Sequence, residues 1–368
     1  MKILHVVGAR PNFMKASPVL AAIEQYGFAD QVLLHTGQHY DRSMSQVFFE
    51  ELQLRPPDVN LEVGSGSHAE QTAAIMVRYE KVVAHDKPDL VLVYGDVNST
   101  LAASLVCAKL GIPVGHVEAG LRSRDRAMPE EINRILTDQI SDLLFTPSSD
   151  ANANLLAEGI APEKIHFVGN VMIDTLVRLL PLAERSSVLN RLGLAEQGGQ
   201  RAPYVLVTLH RPSNVDDSSY LQELLDGLQH IGRRISVVFP IHPRTRQRIE
   251  SIGWRPDAER IKLIEPLGYL DFLALQRQAA AIVTDSGGVQ EESAYLGVPC
   301  LTMRTTTERP VTVEMGSNLL LGEDPKQMVL EVENILNGRC KSSRIPPKWD
   351  GAAAIRIAEV IQTWWTGC

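Results

Sequence analysis

Short apolar runs alternate with longer amphipathic stretches along most of the 368 residues, the rhythm of βαβ units built on a parallel sheet. In the first half this pattern predicts strands over residues 3–7, 32–35, 90–94, 114–117, 143–146 and 166–168. Between them the helical period predicts helices over 11–25, 43–52, 67–85, 99–110 and 130–140. Ser67 followed three residues later by Glu70 is a capping box, which sets that helix start. The rhythm breaks near residues 186–203, where Gly, Gln and Arg crowd a stretch with no period. It restarts with strands predicted over 204–208, 235–240, 261–264, 281–284 and 299–303.

The expected class is therefore α/β, with two doubly wound Rossmann-like domains facing across a cleft. Residues 1–170 form the first domain, 171–203 a connecting helix and linker, and 204–350 the second domain. A last helix within 351–368 carries Trp364 and Trp365, which are expected to pack back onto the first domain. In open sheets of this kind ligands bind beyond the carboxyl ends of the strands, so polar residues there are the ones to read for chemistry.

Composition narrows the partners. A formal charge of −8 argues against a nucleic acid or an anionic membrane as the main partner, so an anionic ligand must be held by local donors. No apolar run reaches membrane-spanning length, and the apolar N-terminal stretch is too short for a signal peptide. Cys107, Cys300, Cys340 and Cys368 form no metal-ligand spacing. A cytoplasmic location, no metal and no cofactor are expected.

Several strand ends are followed by unusual polar residues. Gly8-Ala9-Arg10-Pro11-Asn12-Phe13-Met14-Lys15 offers a tight turn, free N–H groups and two cations, Arg10 and Lys15, to an anion. Taken by itself it also reads as a plain strand-to-helix turn. In Gly95-Asp96-Val97-Asn98-Ser99, Asp96 or Ser99 could simply cap the next helix. Glu118, at the end of an apolar strand, is costly to bury unless paired or functional; Arg122, four residues on, is a candidate partner. Glu130 and Glu131 follow Pro129 and complement the start of a helix. Four carboxylates at or near crevice positions would push one another's pKa values apart, which suits acid/base chemistry. His210-Arg211 and His242-Pro243-Arg244 favour anion contact over metal binding. In Thr284-Asp285-Ser286-Gly287-Gly288-Val289-Gln290-Glu291-Glu292, small residues open a helix directly after a strand. A phosphate can sit on that N-terminus, and Glu292, one turn on, can accept from ribose hydroxyls.

Together with Thr307-Glu308-Arg309-Pro310, these motifs in this order resemble the non-hydrolysing UDP-N-acetylglucosamine 2-epimerases of bacteria, from Lys2 to about the last helix. The resemblance implies the GT-B arrangement, a UDP-sugar partner and a homodimer. It implies that Arg10, Lys15, His210 and Arg309 contact the diphosphate and sugar side, that Ser286, Gly287 and Gly288 cradle phosphate, and that Glu292 takes the ribose. Phe272 and the backbone near Leu267 match the uracil neighbours, while Asp96, Glu118 and Glu130 match the acidic catalytic set, with His210 assisting UDP departure.

Two departures stand out. Asp41, after Gln38-His39-Tyr40, and Pro212, after His210-Arg211, replace donors that many relatives use to bind a second UDP-GlcNAc as activator, so such activation is expected to be absent. The Gly-Ala-Arg-Pro start and the Gln-His-Tyr-Asp stretch are shared with relatives acting on UDP-2,3-diacetamido-2,3-dideoxyglucuronate, which makes that sugar the alternative substrate. C2 of an N-acetylhexosamine has no adjacent carbonyl, so the expected route is elimination of UDP to a glycal and re-addition, within a cleft that closes on the nucleotide. A GT-B glycosyltransferase, a hydrolysing epimerase and a non-catalytic nucleotide-sugar sensor are the competitors.

Overall fold

The computed structural model describes residues 1–38, 51–52, 54–194 and 202–367. The helix predicted over 43–52 lies almost wholly outside the described residues, as do His39, Tyr40 and Asp41. The chain forms two units, Met1–Arg178 with Pro347–Cys368, and Leu179–Pro346.

The first unit is a seven-stranded parallel sheet of β1 (Lys2–Val7), β2 (Asp30–His35), β3 (Val59–Asn60), β4 (Leu90–Tyr94), β5 (Val114–Val117), β6 (Leu143–Thr146) and β7 (Ile165–Phe167). Its order, β3-β2-β1-β4-β5-β6-β7, reverses direction between β1 and β4. That switch point is where such sheets open a crevice. Leu4 and Val6 of β1 and Val91 and Val93 of β4 pack on Ile75, Tyr79 and Val83 of the helix His68–Asp86. Ala102, Val106 and Cys107 of the helix Asn98–Leu110 complete this core. Each fully buried aliphatic side chain there contributes about 1.5–3 kcal/mol. Ser67 and Glu70 cap the helix reciprocally, as the sequence predicts.

The second unit is a six-stranded parallel sheet of β8 (Tyr204–Thr208), β9 (Ser236–Pro240), β10 (Ile261–Ile264), β11 (Ala281–Thr284), β12 (Cys300–Thr302) and β13 (Asn318–Leu320). Its order, β10-β9-β8-β11-β12-β13, repeats the same reversal between β8 and β11. The chain thus forms the α/β class with two Rossmann-like domains that its periodicity predicts. β3 and β13 are additions, two and three residues long and too short to show a period.

The last helix, Ala353–Thr366, packs on Arg10–Tyr26 through Ala353, Ala354, Ile357, Ala358 and Ile361. Of its two tryptophans, Trp364 is half-buried and lines a cavity with Ile112 and Pro113 of the first unit, whereas Trp365 is 39% exposed. Asp174 accepts the N–H groups of Ala353 and Ala354 at 3.1 and 2.6 Å and so caps this helix. Among the described residues no helix is long and apolar enough to cross a membrane.

Candidate active site

In the first unit the candidate residues gather at the carboxyl ends of β1, β4 and β5. The N–H groups of Gly8 and Ala9 donate to Asn12 Oδ1, both at 3.0 Å, and Asn12 Nδ2 donates to the Tyr94 carbonyl at 2.8 Å. Asn12 thereby ties the exit of β1 to the exit of β4. Arg10, the first residue of the following helix, is exposed. Lys15, one turn further, is 5% exposed and pairs with the carboxylate of Glu118, which is 7% exposed. This pair corrects the expectation that Arg122 partners Glu118. Arg122 instead binds Asp138 at 2.7 Å and forks onto Glu158 at 2.8 and 2.6 Å.

Glu118 holds a left-handed φ of 78°, which costs a residue with a Cβ on the order of 1–3 kcal/mol and collects at functional sites. Gly95 lies against it at φ 63°, and a Cβ there would stand 2.7 Å from Lys15 Nζ and 3.2 Å from Glu118 Oε2. Only glycine lets the β4 turn approach the ion pair so closely.

Asp96 does not cap the next helix. Its Oδ2 accepts Nε and Nη2 of Arg134 at 2.9 and 2.6 Å, and its carbonyl accepts Asn133 Nδ2 at 2.9 Å. Ser99 does not cap it either, since its hydroxyl donates to Gln38 Oε1 at 2.7 Å. Glu131 is buried and accepts the N–H groups of Ser123 and Arg124 at 2.9 and 2.8 Å, together with Arg134 Nη1 at 2.6 Å. Burial pushes its carboxyl up, but these donors outweigh burial and hold it below the usual carboxylate range. Its neighbour Glu130, in the first turn of the helix Pro129–Ile140, is half-buried with no partner among the described residues.

In the second unit, buried Asp285 sits just past β11, beside the end of β8. Its Oδ2 accepts the N–H groups of His210 and Arg211 and the amide of Asn214, all at 2.9 Å, and its Oδ1 lies 3.0 Å from His210 Nδ1. Burial raises the Asp285 carboxyl, but His210 and these donors bring it below its ordinary value. Ser286, Gly287 and Gly288 are half-buried at the start of the helix Gly287–Leu296, and the Ser286 side chain makes no cap bond. Arg309 lies against this start, with Nε 2.9 Å from Glu291 Oε1 and Nη1 on Glu308. A Cβ on Gly287 would stand 2.5 Å from Arg309 Nη1, so glycine makes room for the guanidinium.

Glu292, one turn into that helix, is buried. It accepts the Tyr269 hydroxyl at 2.8 Å and Gln276 Nε2 at 2.5 Å, and burial raises its pKa despite both donors. Leu267 and Phe272 are both half-buried, in and just after the turn that follows β10.

Sequence reasoning passed over Asp138 and Arg134, and gave Arg211 only as an arginine favouring anion contact beside His210. Glu131, Arg134 and Asp138 share one helix face at i, i+3 and i+7, a spacing visible in the sequence; this face is buried rather than solvated. Arg211 is half-buried, its pKa is lowered by burial and by nearby Arg304, and its guanidinium forms no hydrogen bond among the described residues. Among the described residues no group of three or more His, Cys, Asp or Glu could hold a metal ion. Chemically, the first unit offers carboxylates held by cations for proton transfer. The second offers a helix N-terminus and arginines for a diphosphate.

The family model described as UDP-N-acetylglucosamine 2-epimerase matches residues 21–362. The UDP-N-acetylglucosamine 2-epimerase of Methanococcus maripaludis is 46% identical over 340 residues, covering 91% of this chain and 92% of that protein. The UDP-2,3-diacetamido-2,3-dideoxy-D-glucuronate 2-epimerase of Pseudomonas aeruginosa is 42% identical over 364 residues, 98% and 99% of the two chains. The crystal structure of the Methanocaldococcus jannaschii UDP-GlcNAc 2-epimerase with UDP-GlcNAc and UDP matches at a TM-score of 0.87 and 43% identity, over 98% of this chain and 99% of that one.

Proposed function

The chain belongs to the UDP-N-acetylglucosamine 2-epimerase family, and from that premise we propose that it is an isomerase converting UDP-N-acetylglucosamine reversibly to UDP-N-acetylmannosamine. A base takes the C2 proton while UDP leaves C1, giving a glycal. UDP then re-adds as a proton reaches the opposite face of C2. Asp96, Glu118 and Glu130 share the acid and base roles, each of which is worth about 10²–10⁴-fold. Arg10, Lys15, Arg309 and the helix start at Ser286, Gly287 and Gly288 stabilise the departing diphosphate, and His210 assists its departure. Glu292 takes the ribose, and Phe272 with the backbone near Leu267 borders the base. Homodimerisation and a cytoplasmic location belong to the same reading.

The observation that carries it is the gathering of Glu118, Lys15 and Asp96 around Gly95, where two carboxylates are each held by a cation at a sheet switch point. The test is proton NMR of UDP-N-acetylglucosamine incubated with the enzyme in D₂O, without acceptor. UDP-N-acetylmannosamine carrying deuterium at C2 is expected. Product without solvent hydrogen at C2 would overturn the elimination route, and free N-acetylmannosamine would indicate a hydrolysing enzyme. The relative from Pseudomonas aeruginosa makes UDP-2,3-diacetamido-2,3-dideoxyglucuronate the comparison substrate, and a much higher kcat/KM on it would move the assignment to that sugar.

A further inference from the structure

The helix Pro129–Ile140 carries a buried carboxylate that no step above uses. Asp138 is completely buried, and its partners among the described residues lie in or beside the turns that bear the proposed acid and base groups. Its Oδ1 is 2.6 Å from His116 Nδ1, and the other ring nitrogen, Nε2, is 2.8 Å from the carbonyl of Gly95, the residue before Asp96. Its Oδ2 accepts the N–H of Gly120 at 3.1 Å, two residues after Glu118, and pairs with Arg122 at 2.7 Å. Both nitrogens of His116 face oxygen acceptors, so the pattern is complete when both carry hydrogen. One carboxylate thus grips the β4 turn through His116 and the β5 turn directly.

Burying these charges costs several kcal/mol per ion before pairing, and apolar residues of similar volume would often hold a core as well or better. The left-handed backbone of Glu118 also persists only if its surroundings over-determine it, and the Gly120 and Arg122 contacts lie immediately after it.

We propose that Asp138, acting with His116, is a positioning residue that holds Glu118 and the Gly95-Asp96 turn in register for proton transfer at C2. The inference rests on the carboxylate roles proposed above. Asp138→Asn keeps the shape but removes the anion facing Arg122 and His116. Because misplacing a reacting group by about 1 Å costs on the order of 100-fold, kcat should fall about 10- to 100-fold. KM and the Kd for UDP should stay within about threefold, and deuterium wash-in at C2 should slow in step with kcat. His116→Gln, which can still donate to the Gly95 carbonyl, should show a smaller loss of the same kind and decides the matter if Asp138→Asn does not fold.

A purely structural role would lower the melting temperature and the fraction of UDP-binding protein while leaving kcat per UDP-binding site at the wild-type value. That result overturns the proposal. The wild-type enzyme is assayed in parallel: if it exchanges no hydrogen at C2, the epimerase reading falls and this inference with it. Wild-type exchange with an unimpaired Asp138→Asn kcat removes the positioning role alone.

Discussion

Replacing Gly287 by alanine would put a methyl group where the Arg309 guanidinium now lies. The new Cβ would stand 2.5 Å from Nη1 and 2.9 Å from Glu308 Oε1. Nη1 is the far end of a flexible side chain, but Arg309 is buried and held by Glu291 and Glu308, so it can move only by disturbing both pairs. The backbone itself imposes no penalty, because Gly287 is not among the residues with positive φ. Alanine at a compatible helical position stabilises by roughly 0.4–1 kcal/mol, chiefly by restricting the unfolded chain. That gain offsets only part of the cost of disturbing the two pairs, so ligand binding should fall further than stability. A hydrogen bond to a charged group is worth about 1.5–3 kcal/mol, so losing one between Arg309 and the diphosphate should weaken UDP binding about 10- to 150-fold. Titration calorimetry with UDP, beside a thermal melt, reads both quantities. Unchanged affinity at unchanged stability would remove Arg309 and the helix start from the nucleotide site. A protein that loses both would show that the displaced guanidinium serves the fold instead.

Lys15→Met leaves Glu118 in a buried site without its cation. Breaking such a pair costs about 3–5 kcal/mol, so a clear fall in melting temperature is expected with at least a 100-fold loss of kcat, and a stable, active variant would refute the pairing. Asp174 has its carboxyl raised by burial from 3.8 to about 6, so the folded state holds its proton more tightly than the unfolded state. The stability this provides is full below about pH 4 and is lost as pH rises towards 6, up to about 3 kcal/mol in all. Urea titrations at several pH values should show that component vanish in Asp174→Asn. Asp285 has the opposite sign: its carboxyl is held below 3.8, so its contribution is present above that pH and lost on acidification. Asp285→Asn should be less stable than wild type at pH 7, with a shallower further fall below pH 4.

The sheets were legible because a parallel strand buried on both faces leaves an unmistakable apolar run, as in Leu90–Tyr94 and Ala281–Thr284. β3 and β13 were not, because two or three residues carry no period and their pairing depends on a neighbouring strand. The strand-end rule found Asp96, Glu118 and His210, since it needs only the end of a run. It could not find their partners. Arg122 was the natural choice for Glu118 on proximity along the chain, whereas Lys15 arrives from 103 residues away through the β1 turn. Asp138 was hidden differently: a charged face on a helix is ordinarily solvated, and only the packing of Pro129–Ile140 shows that this one turns inward.

The first unit is assembled from both ends of the chain. Its helix Ala353–Thr366 supplies Ile357 and Ile361 to a core begun by Arg10–Tyr26, and its first N–H groups rest on Asp174. During synthesis the residues up to Arg178 emerge without that helix, and the whole of Leu179–Pro346 must be made before it exists. At about 5–20 residues per second the wait is on the order of ten seconds or more. The later unit, contiguous in sequence, can finish folding while the earlier one still lacks a wall. A chain cut just before Ala353 would keep Leu179–Pro346 whole and leave the first unit open to proteases.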